Sequence, residues 1–218
     1  MILELDIALL SKIRNKIIRW YKTNGRSYPW RETSDIYQVL IAEMMLRRTT
    51  ATAVARVYPV FMKEYPDIAT LAKSNPEEIQ DLVQSLGLQV QRASDLSKMA
   101  KKVVEDFGGD FSTLSDCLHT LPGVGPYVSS AVRNFALGIP DHMVDGNILH
   151  FLKRTLGVHL SGPLDKDAWL LMKRLGGRKQ VKHFYWGIID FVALICLRKS
   201  PHCSICPLSN LCVFHSSI

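Results

Sequence analysis

The sequence lacks the long apolar runs and targeting features of membrane and secreted proteins. No stretch reaches the ~18 consecutive apolar residues of a transmembrane helix, which argues against a membrane-spanning protein of that kind. The N-terminus carries Glu4 and Asp6 inside its apolar run and has neither a basic start nor a small-residue cleavage site, so it predicts an amphipathic helix and not a signal peptide. We therefore expect a cytoplasmic protein whose cysteines stay reduced.

Strand-like alternation of apolar and polar residues is also weak throughout, and this predicts an all-α fold. There is no low-complexity tract, long linker or evident internal repeat, and 218 residues suffice for one large unit or two small lobes. The segment "SNPEEIQDLVQSLG" has a cap at Ser74 or Asn75, Pro76 in its first turn and Gly87 at its stop. Further helices are predicted near residues 51–64, 91–106, 112–119, 126–137, 145–156, 166–175 and 183–196.

Acidic residues are outnumbered by basic ones. The chain has 27 Lys and Arg against 20 Asp and Glu, a formal net charge of +7, which favours a polyanionic partner and most often nucleic acid. Five cations fall within ten residues with no acid among them: Lys173, Arg174, Arg178, Lys179 and Lys182. This cluster is interpreted either as a solvated helix end or as an edge that faces phosphates.

Cysteine is scarce, with five in the chain, but four of them lie within 17 residues. The pattern C-x6-C-x2-C-x5-C is formed by Cys196, Cys203, Cys206 and Cys212. Thiolates at this density suit a structural metal, and their spacing leaves zinc and an iron–sulfur cluster open, whereas a reducing compartment disfavours disulfides. A site closed by all four thiols has a structural or docking role, because no coordination position remains open. Cys117, in "SDCLHT", is predicted to be a buried helix residue.

A rigid turn stands in "TLPGVGPYVSSAV", where Pro-Gly and Gly-Pro bracket a single Val. Gly123 and Gly125 can both adopt positive φ and leave their amides uncovered, and Pro126 suits the first turn of a following helix. Exposed amides at a helix N-terminus form a phosphate-binding site without a charged side chain. The alternative is an ordinary turn between two helices.

An acidic residue follows 18 positions after Tyr127, in "MVDGNILHFLKR". Asp145 begins an apolar-periodic helix there. It is interpreted either as an N-cap or as a carboxylate that stabilises positive charge or activates water.

The order and separation of LPGVGPY, VDGN and C-x6-C-x2-C-x5-C resemble the helix–hairpin–helix DNA glycosylases of the endonuclease III and MutY superfamily, from about Trp20 to Cys212. The resemblance implies an all-α protein with a six-helix barrel lobe (28–137) that carries the hairpin, and a cluster lobe (1–27 with 138–218). It implies that DNA binds across the cleft between the lobes and that Asp145 is the catalytic acid of the family. It also implies a [4Fe-4S] cluster on the four late cysteines, with zinc as a minor alternative.

The resemblance also bears on the reaction. Bifunctional relatives of the endonuclease III type have a Lys where this chain has Tyr127, and that Lys forms a Schiff base with the sugar and permits strand cleavage. Tyr has no amine, so the resemblance implies a monofunctional glycosylase that leaves an abasic site. Tyr127 joins Asp145 and Glu43 as the candidate catalytic residues.

Further candidates follow from family positions. Glu43 lies among apolar neighbours in "VLIAEMML", where the family places a carboxylate of the base pocket and the alternative is a structural ion pair. Asn147 matches a residue that positions the DNA or Asp145. Arg47 matches a residue that enters the stack vacated by the flipped base, and Leu88 is a candidate wedge beside the guanine. The full set of candidate DNA-binding residues is Leu121, Gly123, Val124, Gly125, Arg47, Arg48, Leu88, Asn147 and Arg31, the last in a "PWR" motif with Trp30.

Three features favour thymine or uracil opposite guanine as the target. "LRRTT" resembles the thymine mismatch enzymes where MutY proteins have LQQTQ, "LGLQVQRA" lacks the aromatics of the MutY GLGYY turn and is closer to GL-x-x-x-(K/R)-A, and the chain ends six residues after Cys212, without the MutY C-terminal domain. VDGN instead favours the MutY enzymes, because it is the sequence that they commonly have at this position. The sequence therefore predicts a monomer that acts on mismatched double-stranded DNA in a prokaryotic cytoplasm, at the nucleoid. The alternatives are an adenine glycosylase of MutY type, a catalytically inactive DNA-binding module, and a zinc-bound DNA-binding protein.

Overall fold

The computed structural model describes residues 5–179 and 181–217, and within these ranges the chain is helical with no β-strand. The all-α prediction is confirmed. The described helices are α1 (Ile7–Asn24), α2 (Ile36–Leu46), α3 (Ala51–Glu64), α4 (Ile68–Lys73), α5 (Pro76–Val83), α6 (Gln89–Phe107), α7 (Pro126–Phe135), α8 (Gly146–Leu156), α9 (Lys166–Gly176), α10 (Val181–Leu194) and α11 (Val213–Ser216). Of these, none is long and apolar enough to cross a membrane.

Short polar side chains set most helix starts. In each case the side chain accepts a hydrogen bond from an amide in the first turn, and the capping residues are Asp6, Asp35, Thr50, Asp67, Asn75, Asp145 and Asp165. The predicted helix after Ser74 begins as expected, with Asn75 as cap and Pro76 in the first turn. A 3-10 turn, Gln84–Leu86, then leads to Gly87 at φ +73°.

The structure corrects the prediction of a helix at residues 112–119. This segment forms two separate 3-10 turns, Ser112–Leu114 and Leu118–Thr120. Local hydrogen bonds compete with the helix here, because the amide and hydroxyl of Ser112 donate to Asp110 and the Thr120 hydroxyl donates to the Cys117 carbonyl. Cys117 lies between the turns and is half-buried, so its prediction as a buried helix residue was also wrong.

One helix boundary and one further helix differ from the sequence patterns. α1 begins at Ile7 because Asp6 caps it, and the N-terminal positions Ile2 and Glu4 of the predicted amphipathic helix lie outside the described residues. α4 was not predicted. It has six residues, too few for a helical period to stand out from the surrounding polar sequence.

The chain divides into two compact units, and residues 27–139 form the first, called the hairpin unit below. It contains helices α2 to α7. α2 is apolar on all sides, with Tyr37 and every residue from 39 to 45 buried, and α3, α6 and α7 pack against it. A helix buried all round forms the centre of a core, so α2 fixes the place of the segments that follow its C-terminus.

The second unit, called the cysteine unit below, consists of residues 1–26 and 140–218. Its described helices are α1 and α8 to α11, and α10 occupies the centre, packed against α1, α8 and α9. Asp190 on α10 is fully buried and accepts hydrogen bonds from the Arg26 amide (2.8 Å) and guanidinium (2.7 and 2.9 Å). The short α11, which follows Cys212, packs on α8.

Candidate functional site

The predicted hairpin is a tight turn in which position 123 has to be a glycine. The Val124 amide donates to the Leu121 carbonyl at 3.0 Å, and Gly123 adopts φ +76°. A Cβ on Gly123 would lie 2.7 Å from the Cβ of Asp95, so conformation and space both require glycine. The side chains of Leu121 and Val124 are buried, which leaves the backbone as the part of the turn able to bind a ligand.

Gly125 differs from the expectation of positive φ. It is extended, with φ −82° and ψ 179°, because Pro126 restricts the residue before it to this region. Gly125 is the N-cap of α7 and provides no side-chain cap. Within the described ranges the amides of Gly123 and Gly125 donate to no protein acceptor. Together with the dipole of the ten-residue α7, they form an arrangement suited to a phosphate.

Two candidate catalytic side chains lie on neighbouring helices of the hairpin unit. Tyr127 is the second residue of α7 and is half-buried. Glu43 is 4% exposed in the middle of α2, and α2 packs against α7. A carboxyl group in such apolar surroundings loses its hydration, and its chemistry is therefore set by the few polar groups that reach it.

Arg48 and Leu88 share an unusual backbone conformation. They are the non-glycine residues with positive φ in the described chain, at 56° and 53°. Leu88 is 52% exposed between Gly87 and α6, and Arg48 is exposed just beyond α2. A left-handed conformation costs a non-glycine residue about 1 kcal/mol or more, and such costs are concentrated at binding sites.

Arg47 is bound to its own unit in this structure. Its Nη1 lies 2.7 Å from the Asp95 carboxylate and 3.0 Å from the Gly123 carbonyl. Its side chain is still about two-fifths exposed. Arg47 therefore joins the end of α2 to the hairpin, and DNA would have to displace these contacts before the guanidinium entered a base stack.

The "PWR" motif forms a stacked group of rings. Trp30 is buried, stacks on Tyr28 at a centroid distance of 4.8 Å and meets Tyr58 edge-on at 5.4 Å. The Arg31 guanidinium lies over the Tyr28 ring at 5.1 Å. Trp30 is thus a packing residue, while Arg31 is held against an aromatic face by a cation–π contact.

Asp145 of the cysteine unit is the N-cap of α8, and several hydrogen bonds fix its carboxylate. One oxygen accepts from the amides of Asn147 (2.9 Å) and Ile148 (2.7 Å), and the other accepts from the Asn147 side chain at 3.1 Å. Asp145 is therefore an N-cap, and the capping hydrogen bonds also orient its carboxylate. Asn147 contributes two of the three donors, which makes it the residue that holds Asp145.

Burial raises the pKa of the Asp145 carboxyl above its ordinary range, although the hydrogen bonds from Ile148 and Asn147 and the charge of Arg198 oppose that rise. The Arg198 guanidinium donates to the Gly146 carbonyl at 3.0 Å, one residue after the aspartate. A desolvated, oriented carboxylate with a raised pKa is suited to electrostatic stabilisation and to general base catalysis.

The four late cysteines line one pocket of the cysteine unit, together with apolar side chains that include Phe191, Ile195 and Leu208. All are free thiols and half-buried. The Leu208 amide donates to the Cys206 sulfur at 3.4 Å, and the Arg154 guanidinium lies 3.9 Å from the Cys196 sulfur. Burial raises the pKa of the Cys196 and Cys206 thiols. Across residues 5–179 and 181–217, no three His, Cys, Asp or Glu side chains are grouped closely enough to hold a single metal ion.

Two buried charged residues of the hairpin unit have no role predicted from the sequence. Arg92 is 5% exposed and Asp95 is 8% exposed, both on α6. Arg92 belongs to the motif segment "LGLQVQRA", which is visible in the sequence, whereas its contacts depend on the fold. Asp95 gave no sequence signal, since its partners Arg47 and Gly123 are far along the chain.

Comparison with known proteins gives consistent results. The family model described as "HhH-GPD superfamily base excision DNA repair protein" matches residues 41–176, which include Glu43, the hairpin and Asp145. A thymine-DNA glycosylase of Aeropyrum pernix is 34% identical over 221 residues, 99% of each chain. A thymine/uracil-DNA glycosylase of Pyrobaculum aerophilum is 37% identical over 212 residues, 94% of this chain and 92% of the relative.

A solved structure agrees with these relatives. It is described as a thermostable thymine-DNA glycosylase, and it matches with a TM-score of 0.90 at 32% identity, covering 97% of this chain and 98% of that chain. The match extends beyond residues 41–176 and so includes most of the cysteine unit.

Proposed function

Because this chain belongs to the HhH-GPD superfamily of base excision DNA repair proteins, we propose that it is a monofunctional DNA glycosylase that removes thymine or uracil mispaired with guanine. The observation that carries the proposal is the partly buried Asp145 carboxylate, oriented by three hydrogen bonds, in a chain whose full length resembles thymine and thymine/uracil glycosylases. The substrate is double-stranded DNA with one mismatched base, and the protein acts as a monomer.

Asp145 supplies the chemistry of bond cleavage. Breaking an N-glycosidic bond builds oxocarbenium character on the sugar, and an ionised carboxylate stabilises that charge. Burial raises the pKa of Asp145, and this favours a second role in which the carboxylate accepts a proton from the attacking water. The two donors of Asn147 keep the carboxylate in one orientation while this happens.

The residues of the hairpin unit act on the base and on the outcome. The target base must leave the stack before it reaches a buried carboxyl, and Glu43 is the pocket residue that would then contact it. Glu43 donates a hydrogen bond to the departing pyrimidine when neutral, or holds water when charged. Tyr127 offers no amine for a Schiff base, so the product is an abasic site in an intact strand.

DNA is bound through backbone amides and exposed side chains. The amides of Gly123 and Gly125 bind one phosphate at the start of α7. Arg31, Arg47 and Arg48 add positive charge, and Leu88 enters the duplex beside the guanine, a role that its exposure supports. The buried side chains of Leu121 and Val124 shape the turn from within.

The test is an excision assay on three duplexes that carry G·T, G·U or 8-oxoguanine·A, each analysed with and without alkali. We expect strand breaks at thymine and uracil that appear only after alkali, because the product is an abasic site. Excision of adenine alone would assign the protein to the MutY-type alternative. Breaks without alkali would contradict the monofunctional proposal, and no excision from any duplex would favour the inactive DNA-binding module.

We also propose that Cys196, Cys203, Cys206 and Cys212 hold a [4Fe-4S] cluster. They line one pocket, and donors from Leu208 and Arg154 face two of the sulfurs. A zinc ion needs its thiolates to converge within about 2.3 Å of one point. A cluster binds each thiolate through a separate iron, so it needs four cysteines that line one pocket but not their convergence on a single point. The cluster would hold this segment together and take no part in bond cleavage.

Absorbance of the purified protein separates the two metals. A cluster absorbs near ~400 nm, whereas zinc is colourless. We expect that band in the wild type and its loss in Cys206→Ser, with Cys117→Ser as the matched control that keeps it. Stoichiometric zinc without the band would refute the cluster.

A further inference from the structure

The first turns of α6 carry two buried charged residues that the proposed reaction does not use. Arg92 donates to the Met44 carbonyl at 2.6 Å, the Met45 carbonyl at 2.9 Å and the Arg47 carbonyl at 3.0 Å. The same guanidinium reaches the Gly87 carbonyl at 3.4 Å. One side chain thus contacts the end of α2 and the turn that presents Leu88.

Helix chemistry explains why an arginine stands there. The last carbonyls of α2 have no intrahelical donor and carry the negative end of the helix dipole, which a cation stabilises. A guanidinium has five donors in a rigid fork and can serve several carbonyls at once. The backbone amide of Arg92 donates to the Leu88 carbonyl at 2.8 Å as the first bond of α6, so the guanidinium is anchored one turn into the helix that begins at the 87–88 turn.

Asp95 makes the corresponding connection to the hairpin. One carboxylate oxygen accepts from Arg47 at 2.7 Å and the other from the Gln91 side chain at 2.7 Å. Arg47 in turn donates to the Gly123 carbonyl, and the Asp95 side chain occupies the space beside Gly123 where a Cβ would lie. Asp95 therefore packs directly against the turn whose amides are proposed to bind a phosphate.

We propose that Arg92 and Asp95 are positioning residues, which fix the spacing of the α2 end, the Leu88 turn and the hairpin before DNA binds. This inference rests on the proposed function. Arg48 and Leu88 hold strained conformations that persist only where their surroundings enforce them, and Arg92 donates to the carbonyl of the residue directly before each of them. Because these segments are already ordered, the free energy of DNA binding goes into opening the base stack and not into ordering the protein.

The test compares Arg92→Lys and Asp95→Asn with two matched controls. Arg133→Lys alters another partly buried arginine of this unit that bonds a backbone carbonyl, and Asp106→Asn alters an exposed ion-paired aspartate of α6. Each protein is bound to a G·T duplex with 2-aminopurine beside the mismatch, whose fluorescence rises when the stack opens. Single-turnover release of uracil from G·U duplex, the concentration dependence of that rate and thermal melting are measured in parallel.

We expect the fluorescence rise and the maximal rate of excision to fall about tenfold in Arg92→Lys and in Asp95→Asn, because misplaced groups fail to extrude the base. The DNA concentration that gives half the maximal rate should change much less, and both control variants should match the wild type. Lysine keeps the positive charge at the end of α2 but cannot reach four carbonyls at once, so Arg92→Lys is expected to fold while losing the connection, and the near-isosteric Asp95→Asn gives a second, independent reading.

Unchanged stack opening in both variants, with or without a loss of thermal stability, would refute the proposal, because the two residues would then be structural only. The fluorescence arm needs no base removal. If the wild type excises neither thymine nor uracil, the proposed function fails, whereas the positioning role is still decided by stack opening in the four variants.

Discussion

The hairpin unit and the cysteine unit handle their candidate functional groups in opposite ways. In the hairpin unit, the candidate DNA-binding groups are backbone amides and exposed side chains, and two of those side chains stand on left-handed backbone. In the cysteine unit, the candidate catalytic carboxylate is partly buried and fixed by three hydrogen bonds, and the four thiols share a largely apolar pocket.

This difference follows from what each task requires. Binding a phosphate or entering a base stack needs groups at the surface in a fixed place, so the protein stores backbone strain there and supports it with buried charge. Stabilising a cationic sugar needs a carboxylate out of bulk water, where electrostatic interactions are stronger. The expected effects of substitution therefore differ in kind between the two units.

Replacing the carboxylate should have the largest effect. We expect Asp145→Asn to lower the single-turnover rate of uracil release by about 10³-fold or more, because charge stabilisation is lost at the reacting sugar. Asparagine is as good an N-cap as aspartate, so α8 should persist and DNA binding should be retained. Full excision by this variant would show that Asp145 is a cap and nothing more.

Adding a methyl group to Gly123 in the hairpin should instead weaken DNA binding. In Gly123→Ala, positive φ and the 2.7 Å approach to Asp95 both oppose the turn, and we expect DNA affinity to fall about tenfold, as for a contact of 1–2 kcal/mol. Gly138→Ala is the matched control, since Gly138 has φ +67° but no heavy atom within 4 Å of its added Cβ. Fluorescence anisotropy with a G·T duplex measures both variants, and equal losses would mean that backbone strain alone matters.

Leu88 should show stability and function moving in opposite directions. Glycine accepts φ 53° without strain, so we expect Leu88→Gly to melt at a slightly higher temperature, by a gain of about 0.5–1 kcal/mol. Excision from G·T should fall several-fold, because the apolar side chain that enters the duplex is gone. A variant that loses stability and keeps excision would remove the case for a strained wedge.

The smallest effect concerns pH and stability. Since burial raises the pKa of Asp145 in the folded state, the folded protein keeps a proton that the unfolded chain releases above the ordinary aspartate pKa. The contribution of Asp145 to the free energy of unfolding therefore decreases as pH rises from the ordinary aspartate pKa to the raised pKa of the folded state. We expect Asp145→Asn to have a higher melting temperature than the wild type at neutral pH and the same melting temperature at acidic pH. Thermal melts across this pH range measure the difference. A difference that increased toward acidic pH would contradict the prediction.

Local signals in the sequence predicted much of the fold. Caps, Pro76 and the period of α3 placed helices to within a few residues, because those signals act over one or two turns. The segment 112–119 was mispredicted because its short polar side chains bond their own backbone, which an apolar pattern does not reveal. Gly125 followed the restriction imposed by Pro126 and not its own freedom.

The sequence by itself determined the helical class, the glycine turn, the acid after it and the cysteine spacing, since each depends on residue type and short-range order. The tertiary structure alone decided what holds these features. Arg92 meets carbonyls some 45 to 48 residues away, and Asp95 supports Gly123 through Arg47, which is 48 positions from that aspartate. Such partners are set by the packing of α6 against α2, because a buried charge has to find acceptors wherever the fold places them.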